Sequence, residues 1–106
     1  MQFKRVKIVV YTPLTHADEI RGVLAEAGVG HIGNYSNCSF SSEGVGRFKG
    51  DDGADPYIGG KGRVERVKEE RIEAICEYSE WENVLKKVKR AHPYEEPAID
   101  VVPLLN

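Results

Sequence analysis

Hydrophobic and polar positions alternate over residues 6–11, Val-Lys-Ile-Val-Val-Tyr, so that Val6, Ile8 and Val10 share one face. β-Branched residues in that pattern predict a strand, which Pro13 ends. The period then changes. Ile20, Val23, Leu24 and Ala27 recur at i, i+3, i+4 and i+7, the single apolar stripe of an amphipathic helix. Thr15 is placed to cap its N-terminus, Asp18 and Glu19 suit the positive end of its dipole, and Gly28 is placed to close it in a left-handed conformation. His16, in the first turn, is expected to face solvent.

From 28 to 62 the pattern breaks down into glycine, serine and asparagine with short apolar pieces. Residues 37–40 and 45–48 are expected to be short strands of a hairpin across Ser42-Glu43-Gly44, and Asp51-Asp52-Gly53-Ala54-Asp55-Pro56 reads as a loop. So long an irregular stretch within a small domain is usually functional or mobile. Alternation returns over 66–76, with Ile72, Ala74 and Cys76 on one face and Arg71, Glu73 and Ile75 on the other. Ser79-Glu80-Trp81-Glu82 has the form of a capping box, and Trp81, Val84, Leu85 and Val88 make a second helical stripe. A turn between Pro93 and Pro97 leads to a last strand over 98–104, where Pro103 points to a sheet margin. The order is βαββαβ, and both stripes can be buried at once if two helices cover one face of an antiparallel sheet. The fold class expected is therefore α+β, a ferredoxin-like βαββαβ sandwich over 1–106 as a single domain. Val9 and Ile75, apolar on the opposite face, suggest that oligomerisation covers that side.

Composition narrows the function. Hydrophobic residues make up 41% and charged residues 30%, the balance of a globular chain, which argues against disorder. Net charge is −2 with both signs interleaved, so no dedicated basic face for nucleic acid is present. The run Lys86, Lys87, Lys89 and Arg90 falls where a helix ends and complements its dipole. No apolar run approaches the ~20 residues that span a bilayer, and the N-terminus lacks the apolar core of a signal peptide. Cys38 and Cys76 form no C-x-x-C pair and are expected as reduced thiols in a cytoplasmic protein.

Two segments carry candidate chemistry. The first runs over 27–40 and sets His31, Asn34, Tyr35, Ser36 and Cys38 among small residues that permit close backbone approach. Its glycines follow a helix, which disfavours a dinucleotide fingerprint, and they do not match a Walker loop. The second, over 91–98, brings His92, Tyr94, Glu95 and Glu96 together. Imidazole and carboxylate are competent ligands for a divalent metal ion or competent acid/base groups, with His92 and Glu95 the candidate metal ligands. Tyr94 and Glu96 join the first segment as candidate ligand-binding residues. Adjacent glutamates in extended chain point to opposite faces, so Glu95 and Glu96 are not expected to share one ion. The competing reading has His92 closing the helix C-terminus while Tyr94 and the glutamates fix the turn. Gly59-Gly60-Lys61-Gly62 lacks the strand–loop–helix context of a phosphate cradle and reads as a flexible turn. Cys76, alternating with Ile72 and Ala74, reads as a buried small hydrophobe.

The stretches His31-Ile32-Gly33-Asn34-Tyr35-Ser36-Asn37-Cys38-Ser39-Phe40 and Ala91-His92-Pro93-Tyr94-Glu95-Glu96-Pro97 resemble the insert domain of the YqfO-like (NGG-interacting-factor-like) proteins. The resemblance continues through Gly53, Pro56-Tyr57-Ile58-Gly59 and Glu70-Arg71-Ile72-Glu73. It implies a PII-like or CutA-like variant of the ferredoxin-like fold that assembles as a trimer. It also implies that the dinuclear metal site of full-length relatives belongs to domains flanking the insert, here absent from a free-standing form. The leading expectation is a non-catalytic homo-oligomeric binding or regulatory module for a small molecule or metal ion, with no nucleic-acid or membrane partner. The alternatives are a small hydrolase using His92 and a glutamate as acid/base groups, and a purely structural oligomerisation domain.

Overall fold

Alternating β-branched residues make β1 (Arg5–Pro13) the central strand of the computed structural model, which describes residues 2–106. β1 pairs antiparallel with β3 (Val64–Glu77) on one side, from Arg5↔Glu77 to Pro13↔Glu69, and with β4 (Ile99–Leu104) on the other. β2 (Phe40–Lys49) adds to the far edge of β3, giving the order β2-β3-β1-β4. α1 (Ala17–Glu26) and α2 (Trp81–Ala91) are the crossovers, and both bury their stripes on one face of this sheet. The fold is the expected ferredoxin-like α+β sandwich.

The core forms where the two helical stripes meet the inward face of β1 and β3. Ile8, Ile20, Ile72, Val84 and Val88 are all fully buried there, and Trp81 and Val23 pack around them. Cys76 belongs to the same cluster, as its alternation with Ile72 and Ala74 predicts. Gly28 closes α1 with φ of 82°, and the Val29 N–H donates to the Leu24 carbonyl at 3.0 Å, the long bond of a Schellman cap. Pro103 lies on an edge strand, where a missing N–H is tolerated.

Several local expectations are corrected. Residues 40–49 do not fold back on themselves at Ser42-Glu43-Gly44. They form one strand that pairs with β3 from Phe40↔Glu73 to Lys49↔Val64, because β3 is long enough to offer a continuous template. Neither helix is capped by a side chain. A single 3-10 turn precedes each, Leu14–His16 before α1 and Tyr78–Glu80 before α2, and displaces Thr15 and Ser79 from the cap position. Thr15 instead bonds the His16 ring at 2.9 Å, and His16 is half-buried rather than solvent-facing. Val9, on the sheet face away from the helices, is only 2% exposed between Glu73 and Asp100. It therefore gives no reason of its own to expect a partner.

One buried polar group joins the elements. His92 directly follows α2 and is 7% exposed. Its Nδ1 accepts the Tyr94 N–H at 3.1 Å, which fixes the tautomer and leaves Nε2–H to donate to the Tyr11 carbonyl at 2.7 Å. Burial holds this imidazole below its ordinary range against the opposing influence of the Tyr11 carbonyl and Glu69, while His16 adds to the depression.

Ile20→Ala is expected to cost about 2–5 kcal/mol in urea unfolding, while Leu105→Ala, at an 89% exposed position, stays within about 0.5 kcal/mol. Because the folded chain holds His92 neutral, the unfolded chain takes up the extra proton. This contribution is complete above the ordinary histidine value of 6.5 and is lost progressively as pH falls from there through the lower folded value. Unfolding at pH 7.5 and pH 5.5 (about one unit either side of that value) should show a smaller loss for His92→Gln than for wild type. Equal losses in the two proteins would rule out His92 as the source.

Candidate functional site

The candidate site follows from a mismatch of strand lengths. β3 has 14 residues and β1 has 9, so residues 64–68 run past Pro13 and pair with β2 alone. On this overhang, alternation places Gly44, Gly46 and Phe48 beside Glu65, Val67 and Glu69 on the face away from the helices. Gly46 is required there. A Cβ at that position would collide with the Glu69 carboxylate, which lies across the glycine.

Two loops wall this floor. Residues 50–62 are folded by the Ala54 N–H donating to the Asp51 carbonyl at 2.9 Å and by Gly62 donating to Gly50 at 2.8 Å. Lys61 Nζ reaches the Asp52 carbonyl at 3.0 Å and closes the same turn. The second wall is the return from α2 to β4, pinned by His92 and by the Tyr11 N–H bond to the Ala98 carbonyl at 3.1 Å. The loops meet where the Asp55 N–H donates to Glu95 Oε1 at 3.1 Å. The Tyr94 hydroxyl crosses to the floor and donates to Glu69 Oε2 at 2.8 Å.

These three segments enclose a cavity of about 510 Å³. Its aromatic lining is Tyr11, Phe48, Tyr57 and Tyr94, supplemented by Pro56 and Ile58. The Tyr94 ring lies 5.9 Å from Phe48 and 6.4 Å from Tyr57, tilted by 58° and 56°. Behind them His92 stands 5.0 Å from Tyr94, and His16 meets Tyr57 edge-on at 5.8 Å. Asp51, Glu69, Glu95 and Glu96 also line the space, as do Arg47 and Lys49. The two basic residues flank Phe48 on β2, so alternation turns their side chains to the opposite face of the strand. The charge presented to the cavity is carboxylate.

Burial, and then donation to Glu69, hold the Tyr94 phenol well above its ordinary range. At neutral pH it is a hydrogen-bond donor and no nucleophile. Both His92 nitrogens are spent inside the chain, so the ring supports the wall and offers neither a lone pair to a metal nor a base to a substrate in this arrangement. Glu95 likewise holds the Asp55 amide. Among the described residues no three His, Cys, Asp or Glu side chains gather to hold one ion. The His92–Glu95 pair expected as metal ligands is thus occupied with structural bonds.

The two polar segments do not meet within the chain. The first loop is anchored by the Gly30 N–H bond to the Ile75 carbonyl at 2.8 Å and by Cys38 N–H to Gly30 at 2.9 Å. Gly30 has φ of 91°, and a Cβ there would strike the Cys38 backbone. Ile75 pairs with Lys7, four residues along β1 from Tyr11, which separates the two motifs by roughly 13 Å of strand at about 3.3 Å per residue. His31, Asn34, Tyr35 and Ser36 are exposed around this loop, and half-buried Cys38 borders a smaller hollow of about 200 Å³ beside α1. Tyr94, Glu95 and Glu96 line the large cavity. Phe48 and Glu69 are not singled out by the sequence, because they come from an expected hairpin and an expected strand, and Tyr57 enters only within the resemblance stretch Pro56-Tyr57-Ile58-Gly59. The signal available is Gly44-x-Gly46-x-Phe48, which leaves one face of a strand bare beside a large ring. Cys76 is chemically quiet, its thiol pushed up to about 11 by burial and by Glu80.

No protein-family model matches the chain. Among curated proteins it is 48% identical over 100 residues to the GTP cyclohydrolase 1 type 2 homolog of Halalkalibacterium halodurans, covering 94% of this chain and 27% of that one. It is 46% identical over 98 residues to the protein of the same name from Bacillus subtilis, covering 92% and 26%. The chain therefore spans about a quarter of the length of the curated relatives it matches. Of solved structures, a Bacillus cereus protein related to NIF3 superposes with a TM-score of 0.85 at 50% identity, over 98% of this chain and 26% of that chain. The periplasmic divalent cation tolerance protein CutA from Archaeoglobus fulgidus superposes with a TM-score of 0.69 at 19% identity, over 96% and 85%. The second likeness shows the fold alone. Together they make this chain similar to one segment of the longer NIF3-related proteins, with the CutA-like fold that the two polar motifs implied.

Proposed function

We propose that the chain is a non-catalytic, homo-oligomeric binding module that holds a small ligand in the aromatic cavity. The observation that carries this reading is the cavity itself. Strand β2, the loop that follows it and the distant return segment bring rings from Phe48, Tyr57 and Tyr94 together, and Gly46 is left bare so that Glu69 can lie beneath them. A volume of about 510 Å³ with largely apolar walls and a set of carboxylates has the character of a ligand site. Tyr94, Glu95 and Glu96 are its proposed ligand-side residues from the polar motif. The hydrolase reading loses support, since His92 is turned into structural bonds and Tyr94 stays protonated. The longer relatives carry GTP in their name, but the carboxylates facing this cavity would repel a triphosphate.

Oligomerisation is supported by the overhang. A two-stranded ribbon is marginal alone in water, and here it exposes Val45 and Val64 by 49% and 63%. Its helix-side face sets Arg47 directly opposite Arg66, with Lys49 and Lys68 nearby, while its other face carries Glu65 and Glu69. The basic face is offered to carboxylates on a second copy, whereas Glu65 and Glu69 are engaged within the chain by Arg63 and Tyr94. A head-to-tail contact whose rotation closes gives a ring, and three copies would make the trimer implied by the sequence resemblance. The first loop, with Tyr35 and Phe40 exposed by 74% and 66%, is a second surface for cover.

Sedimentation equilibrium at micromolar concentration should give an oligomer, and Arg47→Glu combined with Arg66→Glu should shift it toward monomer. A monomeric wild type would remove the oligomeric part of the proposal. For the cavity, amide spectra recorded against a mixture of small organic fragments should show shifts confined to residues around Phe48, Tyr57 and Tyr94. Tyr57→Ala, at a 55% exposed position, should abolish them while leaving unfolding stability within about 0.5 kcal/mol. If no fragment moves those amides at millimolar concentration, the cavity is not a binding site.

A further inference from the structure

We propose that the cavity selects an organic cation, an alkylated ammonium group on a small apolar body. This inference rests on the reading of the cavity as a ligand site and names the class of ligand that site takes. The rings and the carboxylates point to it independently.

The rings favour a compact charge over a flat molecule. Phe48, Tyr94 and Tyr57 touch in sequence, with centroids 5.9 and 6.4 Å apart and planes tilted by more than 50°. Rings in mutual contact leave no slot between them, and tilted planes offer no parallel pair on which a flat heterocycle could stack on both sides. They form instead a bent aromatic wall. A cation within about 6 Å of ring centroids is drawn by the negative π faces, and a tetrahedral alkylammonium can meet several tilted faces at once.

The carboxylates supply the matching field. Glu69 lies on the floor directly beside Tyr94, and its place there depends on the missing side chain at Gly46. The Tyr94 hydroxyl engages one Glu69 oxygen, and this orients the carboxylate without neutralising it. Glu96 and Asp51 also line the cavity, the bases Arg47 and Lys49 belong to the other face of β2, and Arg71, 5.8 Å from the Tyr11 ring, lies outside the lining with Glu73 at 3.7 Å. An anionic ligand would face these carboxylates with no basic side chain of the lining strand turned toward it. A bare metal ion would find no convergent set of three donors among the described residues. An organic cation needs neither, since it is held by diffuse attraction and apolar contact.

Two probes of nearly equal shape test the proposal: choline, and 3,3-dimethylbutan-1-ol, in which carbon replaces the quaternary nitrogen. Titrations followed by amide shifts at Phe48, Tyr57 and Tyr94 should give choline an affinity about tenfold above that of the alcohol, the scale of a cation–π contact with a desolvated cation. Glu69→Gln keeps an acceptor for the Tyr94 hydroxyl and should weaken choline about fivefold while leaving the alcohol unchanged, the loss of one nearby charge. Equal affinity for the two probes overturns the cationic class but leaves the cavity a binding site. The cationic class falls in the same way if neither probe binds while other fragments shift these amides. If nothing shifts them, the underlying reading fails as well.

Discussion

The architecture of the site hangs on one imidazole. His92 sits at the point where α2 ends, bonds the C-terminal end of β1 at Tyr11 through Nε2–H and receives the backbone of the return segment at Nδ1. A neutral ring is the only form that can do both, because one nitrogen must donate and the other accept. Burial enforces that form by penalising the charged one. Without the ring, the Tyr11 carbonyl and the Tyr94 amide would be left unpaired in a half-buried place, and the wall that carries Tyr94 would lose its anchor. The residue that looks most like a catalyst in the sequence is thus the joint that positions its neighbours.

The fold is legible in the sequence because it rests on periodicity. Val6, Ile8 and Val10 at spacing two, and Ile20, Val23, Leu24 and Ala27 at helical spacing, state which face of each element is buried, and the core obeys them. The site is only half legible. Tyr94, Glu95 and Glu96 stand in a dense polar motif that marks them. Phe48 and Glu69 each look ordinary within their own segments and become notable only when β2 and β3 register Gly44 against Glu69 and Phe48 against Glu65. Cross-strand register between residues 17 and 25 positions apart is not written in either strand alone. The caps fail for a related reason. Thr15 and Ser79 match a local rule, but one turn of tighter helix at each entry lets Ala17 and Trp81 reach the core, and packing outweighs a single capping bond.

Charge is divided with similar economy. Arg21 is held between Asp18 at 2.6 Å and Glu70 at 2.7 Å, with Ser41 at 3.0 Å, and so ties α1 to β3 and the start of β2. Asp18, and then Glu70, raise the guanidinium further above its already high range. The inner end of the sheet thereby resolves its charges within the chain. The overhanging end does so only in part: Arg63 pairs with Glu65, while Arg47 and Arg66 stand opposed on the other face.

That division makes β3 a single covalent strand with two stabilities. From Glu69 to Glu73 it is flanked by strands on both sides and from there to Glu77 it pairs with β1 over the core, whereas residues 64–68 have β2 alone, with Arg47 set against Arg66. Like charges directly opposed loosen such a pair, so local opening of the outer segment requires far less than global unfolding. The floor of the cavity can therefore fray and reform while the core stays intact. A ligand resting on Phe48 and Glu69 would draw part of its affinity from completing that ribbon, and its arrival would be registered as a stiffening of the protruding strands.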